Sequence, residues 1–300
     1  MKRALIAFAC GTALLCAGLA GQEPPKPDAD PVQLALILRS AREYCAKLER
    51  AALDFVCLEE VGEKLDLSRD DRKVLEREAA IRDHMRPGDV RGLQSRLKIR
   101  RNPKFDNIYL YDYQFIRREG KIEEKRVLLE MNGKKASPEM PRQQLSAFSY
   151  SDILLAPIRL LDEEFEPYYF YRLVGRDVIA GTDAWILEVT PRVAGVSRYL
   201  GGKIWLKRDD SSVLRIEWDP TTFGHFERIQ ARAESYAATP EVRSYTEFAV
   251  EKNGLRFPSA DFTEEAYRSE RGKLFVRART SVTYRDHKFF TVETSSTFKK

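Results

Sequence analysis

Histidine and cysteine, which supply most metal ligands and many catalytic nucleophiles and bases, are scarce in this chain. Its 300 residues include 3 histidines and 4 cysteines. His84, His225 and His287 are scattered singly, whereas a structural zinc site needs about four ligands. The strings G-x-G-x-x-G, G-x-x-x-x-G-K-[ST] and G-x-S-x-G do not occur. The sequence therefore predicts no metal, no cofactor and no catalytic residue.

An excess of one charge is also lacking. The chain has 51 basic and 46 acidic residues, and its formal net charge is +5. The two signs are interleaved along the chain, which is typical of a solvated surface and not of a nucleic-acid-binding stripe. We therefore predict no nucleic-acid partner.

The one long hydrophobic run is at the N-terminus, in MKRALIAFACGTALLCAGLAGQ. Lys2 and Arg3 precede an apolar stretch, and Gly18 and Ala20 fit the small-x-small pattern of a cleavage site. This predicts a signal peptide at residues 1–21, cleaved near Ala20, and hence a periplasmic protein. A membrane anchor is the alternative, but about 17 apolar residues are at the short limit for a span.

Beyond the signal peptide, residues 22–30 form a Pro-rich linker, and residues 31–300 are predicted to form a single domain. Apolar residues at helical spacing predict a helix from Pro31 to about Arg50. The alternating LDFVCLEEVGEKL that follows predicts a strand. Residues 66–106 are rich in charge and lack a clear apolar face, so we predict an exposed, mobile insertion.

Cys45 and Cys57 are the cysteines that remain after cleavage, in a compartment where disulfides persist. On one continuous helix they would be about 18 Å apart, and a disulfide needs Cα atoms within about 7 Å. The predicted change from helix to strand between them supplies the turn that a Cys45–Cys57 disulfide requires.

From Asn107 onward the pattern is β almost to the end, with about ten or eleven strands in the whole chain. Asn132-Gly133, Asn253-Gly254 and Arg271-Gly272 predict turns between strands. A short apolar helix within residues 149–165 interrupts, kinked or ended at Pro157. The stretch ERIQARAESY is assigned to a strand. No βαβ alternation appears.

The hairpin GGKIWLKRDDSSVLRIEWDP, at 201–220, has two half-apolar strands. Alternation predicts that Trp205 lies among charged side chains on one face, and that Leu214, Ile216 and Trp218 share the other. The aspartates at 209 and 210 are assigned to the turn, where Asp and Ser side chains bond local backbone amides. A general acid–base pair would need a cleft instead.

This hairpin is similar to the G-x-(I/V)-W-(I/L) … D … (V/L)-x-R-(I/V)-E motif of lipoprotein-sorting proteins, the periplasmic LolA/LolB-like superfamily. The helix running into a strand in LERAALDFVCLEE also resembles these carriers. The matching residues are Gly202, Ile204, Trp205, Leu206, Asp210, Leu214, Arg215, Ile216 and Glu217. The resemblance implies a mainly β fold, a strongly curved antiparallel sheet or incomplete barrel whose open side is covered by the N-terminal helix and helical insertions.

The same resemblance implies an apolar cavity for acyl chains and no catalytic residues. The predicted partner is an acyl lipid or lipoprotein. The alternative is a periplasmic sensor or scaffold on this fold, which binds a membrane protein's periplasmic segment as RseB/MucB-like regulators do. The candidate cavity lining is the apolar face of the central strands, comprising Phe55, Leu173, Trp185, Leu187, Ile204, Leu206, Leu214, Ile216 and Trp218.

Overall fold

The computed structural model describes residues 31–50, 53–70, 104–118, 121–137, 155–193, 199–224 and 226–291. The predicted signal peptide at 1–21, the linker at 22–30 and most of the insertion at 66–106 lie outside them. Within them are helices α1 (Pro31–Arg50), α2 (Ala156–Leu161) and α3 (Phe226–Ser235), and two 3-10 turns, Glu163–Tyr168 and Pro220–Thr222.

Thirteen strands make up most of the described chain. They are β1 (Leu53–Asp66), β2 (Lys104–Arg118), β3 (Lys121–Met131), β4 (Lys134–Lys135), β5 (Tyr169–Ile179), β6 (Thr182–Pro191), β7 (Gly202–Lys207), β8 (Val213–Trp218), β9 (Ala238–Glu247), β10 (Val250–Lys252), β11 (Leu255–Phe257), β12 (Ala260–Ser269) and β13 (Leu274–Thr291). Eleven form one sheet in the order β4-β3-β2-β1-β13-β12-β9-β8-β7-β6-β5, and β10 pairs with β11. Among the described strands β4 and β5 are the sheet's two edges, so the predicted mainly β, unclosed antiparallel sheet is confirmed.

Helix α1 covers one side of this sheet, which we call the inner face. Its apolar side is buried in the main core and comprises Ile37, Leu38, Ala41, Tyr44, Cys45 and Leu48. The same core contains Tyr113 of β2 and Leu187 of β6, which belong to opposite halves of the sheet. The Tyr44 hydroxyl also accepts a hydrogen bond of 3.1 Å from the backbone N–H of Arg256. Apolar burial against α1 thus holds the two halves together.

The predicted Cys45–Cys57 disulfide is not formed, because both residues are free, buried thiols. The Cys45 thiol contacts the carbonyl oxygen of Pro157 in α2 at 3.6 Å. Burial raises the pKa of Cys57 to about 12 and also raises that of Cys45. Both side chains therefore behave as small apolar core residues.

A second core lies under α3, and here the strand assignment of ERIQARAESY is wrong. Residues Phe226–Ser235 form an amphipathic helix that buries Ile229 and Ala233, one turn apart, against Leu65, Tyr267 and Ala278. The i, i+4 spacing and the helix-forming Glu, Arg, Gln and Ala residues outweigh the short alternating pattern.

The described ends of the predicted insertion are ordered parts of this second core. Strand β1 continues to Asp66, Leu67 is buried, and Phe105 of β2 packs against the same cluster. Asp70 forms an ion pair of 2.6 Å with Arg277, and both side chains are almost fully buried. The contacts of the second core thus extend as far as Asp70 at one described end of the predicted insertion.

Three turn predictions can be compared with the backbone, and in the Arg271-Gly272 turn Gly272 has a positive φ. The Asn132-Gly133 and Asn253-Gly254 turns are confirmed, each with positive φ at both residues, as tight two-residue hairpins require. The prediction that a helix is kinked or ended at Pro157 is wrong, because Pro157 lies in the first turn of α2. Proline is tolerated there, since its missing N–H has no intrahelical partner.

The hairpin of β7 and β8 depends on Gly202, the first residue of β7. A Cβ atom at Gly202 would collide with the carbonyl oxygen of Glu217 on the partner strand. At the tip, Asp210 accepts hydrogen bonds from the Ser212 backbone N–H at 2.9 Å and from Lys207 Nζ at 3.0 Å. Partial burial alone would raise the pKa of Asp210, but these hydrogen bonds lower it. Its local bonds are those of a turn residue.

We expect Arg277→Ala to destabilise the protein by about 3–5 kcal/mol, because it leaves Asp70 buried without its cation and removes one of the two arginines that contact the buried Glu265. Arg268→Ala is the matched control: its ion pair with Glu241 is about half exposed on both sides, so solvent screens it and its loss should cost much less stability. Urea unfolding of both variants measures the difference. Equal free energies of unfolding would contradict the role given to the buried pair.

We expect the double change Asp209→Asn and Asp210→Asn to cost at most about 1 kcal/mol, because asparagine retains the turn hydrogen bond to Ser212. Asp210→Ala should cost more, since it removes that acceptor. Chemical denaturation gives the stabilities, and binding of an acyl probe to the folded variants gives function. Loss of binding in a fully folded Asn variant would show that the aspartates do more than form a turn.

Candidate functional site

Eight of the nine predicted lining residues lie on the inner face. Six are buried in the main core, namely Phe55, Trp185, Leu187, Ile204, Leu206 and Ile216, and Leu173 and Trp218 are partly buried against it. Four are consecutive cross-strand partners from β5 to β8, in the order Leu173, Leu187, Ile204 and Ile216. The structure thus brings them together as one continuous apolar surface.

Leu214 is the exception, and its predicted placement is wrong. Trp205 pairs with Arg215, but the next residue, Leu206, pairs with Val213, so Leu214 is an extra residue in a β-bulge. A bulge moves side chains on one side of it to the opposite face. Val213 therefore joins the main core, and Leu214 packs on the outer face with Trp205 and Ala184.

The two tryptophans of the hairpin lie on opposite faces, as the alternation predicted. Trp205 has Arg215 as its cross-strand partner, but it is 7% exposed within the small outer cluster. Its indole N–H donates to Asp177 at 3.0 Å. Trp218 is on the inner face, where its indole N–H donates to the Thr246 hydroxyl at 3.0 Å.

A buried polar strip crosses the inner face, and the sequence reasoning missed it. The Glu59 carboxylate accepts a 2.7 Å hydrogen bond from Arg126, and the Asp261 carboxylate accepts one of 2.6 Å from the Thr246 hydroxyl. Burial raises the pKa of Glu59, which Arg126 opposes, and raises the pKa of Asp261 to about 6. The sequence contained a signal for this carboxylate, because strict alternation from Phe55 puts Glu59 on the apolar face.

A groove of about 480 Å³ lies along the free edge of β5. It is lined by Pro31, Leu34, Phe170, Tyr171, Arg172, Leu173, Glu188 and Thr190. Tyr171 and Leu173 point to the inner face, where α1 begins, and Phe170 and Arg172 point to the outer face. The groove therefore follows the strand edge and opens toward both sides of the sheet.

The walls of this groove are apolar and its rim is polar. Leu34 and Leu173 pack against the main core and so have fixed positions, while Phe170 is 54% exposed. The Tyr171 hydroxyl donates to the carbonyl of Leu160 at 2.9 Å, which holds that ring in place. On the rim, Arg172 and Glu188 form an ion pair of 2.5 Å. Leu173 is the predicted lining residue that contacts this groove.

The described part of the chain lacks two other kinds of feature. It contains no group of three or more His, Cys, Asp or Glu side chains arranged to hold a metal ion. It also contains no helix that is both long and apolar enough to cross a membrane.

No family model matches the chain, and no curated protein does. Three solved structures are similar to it over most of their length. A DUF1329 family protein from Desulfovibrio piger is 14% identical, with 87% of this chain and 94% of that chain covered and a TM-score of 0.38. A domain assigned as an outer membrane lipoprotein-sorting protein, from Vibrio parahaemolyticus, is 12% identical, with 86% and 94% covered and a TM-score of 0.41.

The third is a LolA superfamily protein from Nitrosomonas europaea, 11% identical, with 85% of this chain and 94% of that chain covered and a TM-score of 0.34. The solved structures similar to this chain include a lipoprotein-sorting protein domain and a LolA superfamily protein, the kinds of protein whose hairpin motif this chain's resembles.

Proposed function

We propose that this protein binds the acyl chain of a lipid or lipoprotein in the groove between α1 and the edge of β5. The observation that carries the proposal is the groove itself, about 480 Å³ in volume, with Leu34, Tyr171 and Leu173 on its apolar side. Small-molecule sites typically have about 300–1,000 Å³ and mostly apolar walls with a few polar groups at the rim. The dimensions and the lining agree with that description.

The hydrophobic effect supplies enough free energy for such a ligand. Each buried methylene contributes about 0.8 kcal/mol, so an acyl chain of about 16 carbons could gain on the order of 10 kcal/mol when fully buried. A groove that opens toward solvent buries only part of the acyl chain, and the free energy gained on binding is reduced in proportion. Binding without a dedicated hydrogen-bond network is therefore feasible here.

The predicted lining residues divide into two roles under this proposal. Leu173 contacts the ligand directly. Its cross-strand partner Leu187, and Ile204, which pairs with Leu187 on the next strand, are fully buried and keep the wall rigid. The other members, Phe55, Trp185, Leu206, Ile216 and Trp218, extend this packed support, and Leu214 supports the outer face.

We propose binding and not catalysis at this groove. Its described lining residues include neither histidine nor cysteine, and the one carboxylate among them, Glu188, is paired with Arg172. A nucleophile would need a base within hydrogen-bond reach. The sequence-based expectation of export at residues 1–21 makes the periplasm the compartment that we propose, and envelope lipids or lipoproteins the ligands.

A second candidate function rests on the position of the groove beside a sheet edge. β5 is a terminal strand of the eleven-stranded sheet, and Phe170 and Val178 are exposed along it. An exposed edge can accept an extended peptide through main-chain hydrogen bonds. A membrane protein's periplasmic segment bound here would give the scaffold function that the sequence left as the alternative.

We expect Leu173→Gln to weaken binding of a dansyl-labelled undecanoic acid about fivefold, because a polar amide replaces an apolar wall at a partly buried position. Val178→Gln is the matched control: Val178 is on the same strand, is 59% exposed and does not line the groove. Fluorescence titration gives both dissociation constants, and circular dichroism verifies folding. Equal affinities for the two variants would exclude the groove as the acyl site.

Native mass spectrometry of the protein purified from its own cell envelope separates the two functions. A co-purifying acyl lipid or lipopeptide, lost in Leu173→Gln and kept in Val178→Gln, supports acyl binding. A lipid-free protein that retains a stoichiometric protein partner supports the peptide-binding alternative and contradicts the carrier.

A further inference from the structure

Two arginines stack on one buried tryptophan at the end of the sheet that contains the groove. Trp185 of β6 is 9% exposed. The guanidinium carbon of Arg176 lies 4.5 Å from the centre of its ring, and that of Arg208 lies 5.0 Å from it. Contacts at these distances are attractive, because a cation interacts with the negative face of the ring. The arrangement concentrates two positive charges around one indole.

The acidic groups nearby leave most of this charge uncompensated. The nearest Arg208–Asp183 nitrogen–oxygen distance is 3.6 Å, and the Asp183 side chain is 66% exposed, so this pair is weak. Within the described residues, Arg176 forms no ion pair. The neighbouring Asp177 carboxylate is already bonded to the Trp205 indole and to the Val178 backbone N–H, on the other side of the strand.

A β-bulge puts Arg176 on the same face as the groove residue Leu173. Leu173 pairs with Leu187, but Gly175 pairs with Ile186 and Arg176 with Trp185, so the register shifts by one residue. Without the bulge, Arg176 would point to the outer face, because side chains alternate along a strand. Trp185 is two residues from Leu187 on β6, so Arg176 lies about 7 Å along the sheet from Leu173.

A stacked guanidinium is well suited to bind a phosphate group. Stacking uses the faces of the planar group and leaves the in-plane N–H donors free, and these match two phosphate oxygens. Stacking also restricts the side chain before the ligand arrives, which lowers the entropic cost of binding. Two such cations with one weak carboxylate favour an anion over a neutral headgroup.

We propose that Arg176 and Arg208 bind the phosphate group of an anionic amphiphile whose acyl chain occupies the groove at Leu173. This rests on the proposed acyl-binding function and adds the headgroup class to it. A phosphate held here could come from a lipid headgroup or from free phosphate, and the experiment is designed to separate the two sources.

The experiment compares three competitors for the dansyl-undecanoic acid probe: dodecyl phosphate, dodecyl maltoside and inorganic phosphate. We expect the double change Arg176→Gln and Arg208→Gln to weaken the binding of dodecyl phosphate about tenfold or more, because charge-assisted hydrogen bonds are lost. The affinity for dodecyl maltoside should stay unchanged. Arg69→Gln is the control, because Arg69 also stacks on a ring, Phe275, but in the second core. It replaces one ring-stacked arginine by the same residue, glutamine, at a position away from the groove, and should leave both affinities unchanged.

Three outcomes overturn the inference in distinguishable ways. In the first, both dodecyl compounds compete with the probe, and the arginine changes lower their two affinities equally or not at all. The proposed phosphate site is then wrong, while the proposed acyl site is still supported. If inorganic phosphate binds as tightly as dodecyl phosphate, measured by calorimetry, the site takes free phosphate and not a lipid headgroup. If neither dodecyl compound competes in the wild type, the acyl-binding function is itself wrong, and the headgroup site with it.

Discussion

The packing of α1 against the inner face of an unclosed sheet is the contact on which the rest of the structure depends. Eleven strands about 4.8 Å apart would span roughly 50 Å if flat, whereas α1 is about 30 Å long. One core nevertheless joins α1 to Tyr113 of β2 and to Leu187 of β6. The sheet must therefore curve around the helix, and the apolar area buried by that contact stabilises the curvature.

A curved sheet that does not close leaves edges, and one of those edges provides the groove. At β5 the start of α1 stands beside the outermost described strand, so Leu34 and Leu173 form a wall that has no other described strand outside it. Exposed edges usually invite unwanted pairing. Here the bulge in β5, between Leu173 and Gly175, interrupts the regular ladder and redirects Arg176. This bulge thus interrupts the strand pairing at the sheet edge and also determines on which face the positive charge of Arg176 lies.

Several buried carboxylates under α3 and in the main core are paired with arginines. Under α3, Arg277 contacts both Asp70 and Glu265, and Arg232 contacts Glu265. In the main core, Glu59 is paired with Arg126. Removing one partner from such a pair costs more than the pair contributes. These networks make the positions of β1, β13 and α3 mutually dependent, while the groove at β5 lies apart from them.

The sequence by itself determined the elements whose signals are local. Helical spacing from Pro31, alternation in β1 and the Asn-Gly turns at 132 and 253 are contained in a few neighbouring residues, and the structure has them. The hairpin motif led to the class of unclosed antiparallel sheet. Apolar alternation also identified most of the inner face, because burial on one side of a strand dictates a period of two.

The tertiary structure decided what depends on contacts distant in the chain. Local alternation wrongly assigned α3 to a strand. The second core that buries Ile229 is formed by β1, β12 and β13, which are distant in the chain, so the residues of α3 alone do not reveal which of their faces is buried. The bulges that turn Leu214 outward and Arg176 inward are set by register with partner strands, which a single strand's sequence does not encode. Cys45 and Cys57 are both buried in the main core, yet the Cys45 thiol faces Pro157 of α2. The groove forms because β5 is an edge strand among those described and lies beside the start of α1. The order of strands is a property of the whole sheet and is not contained in any one strand's sequence.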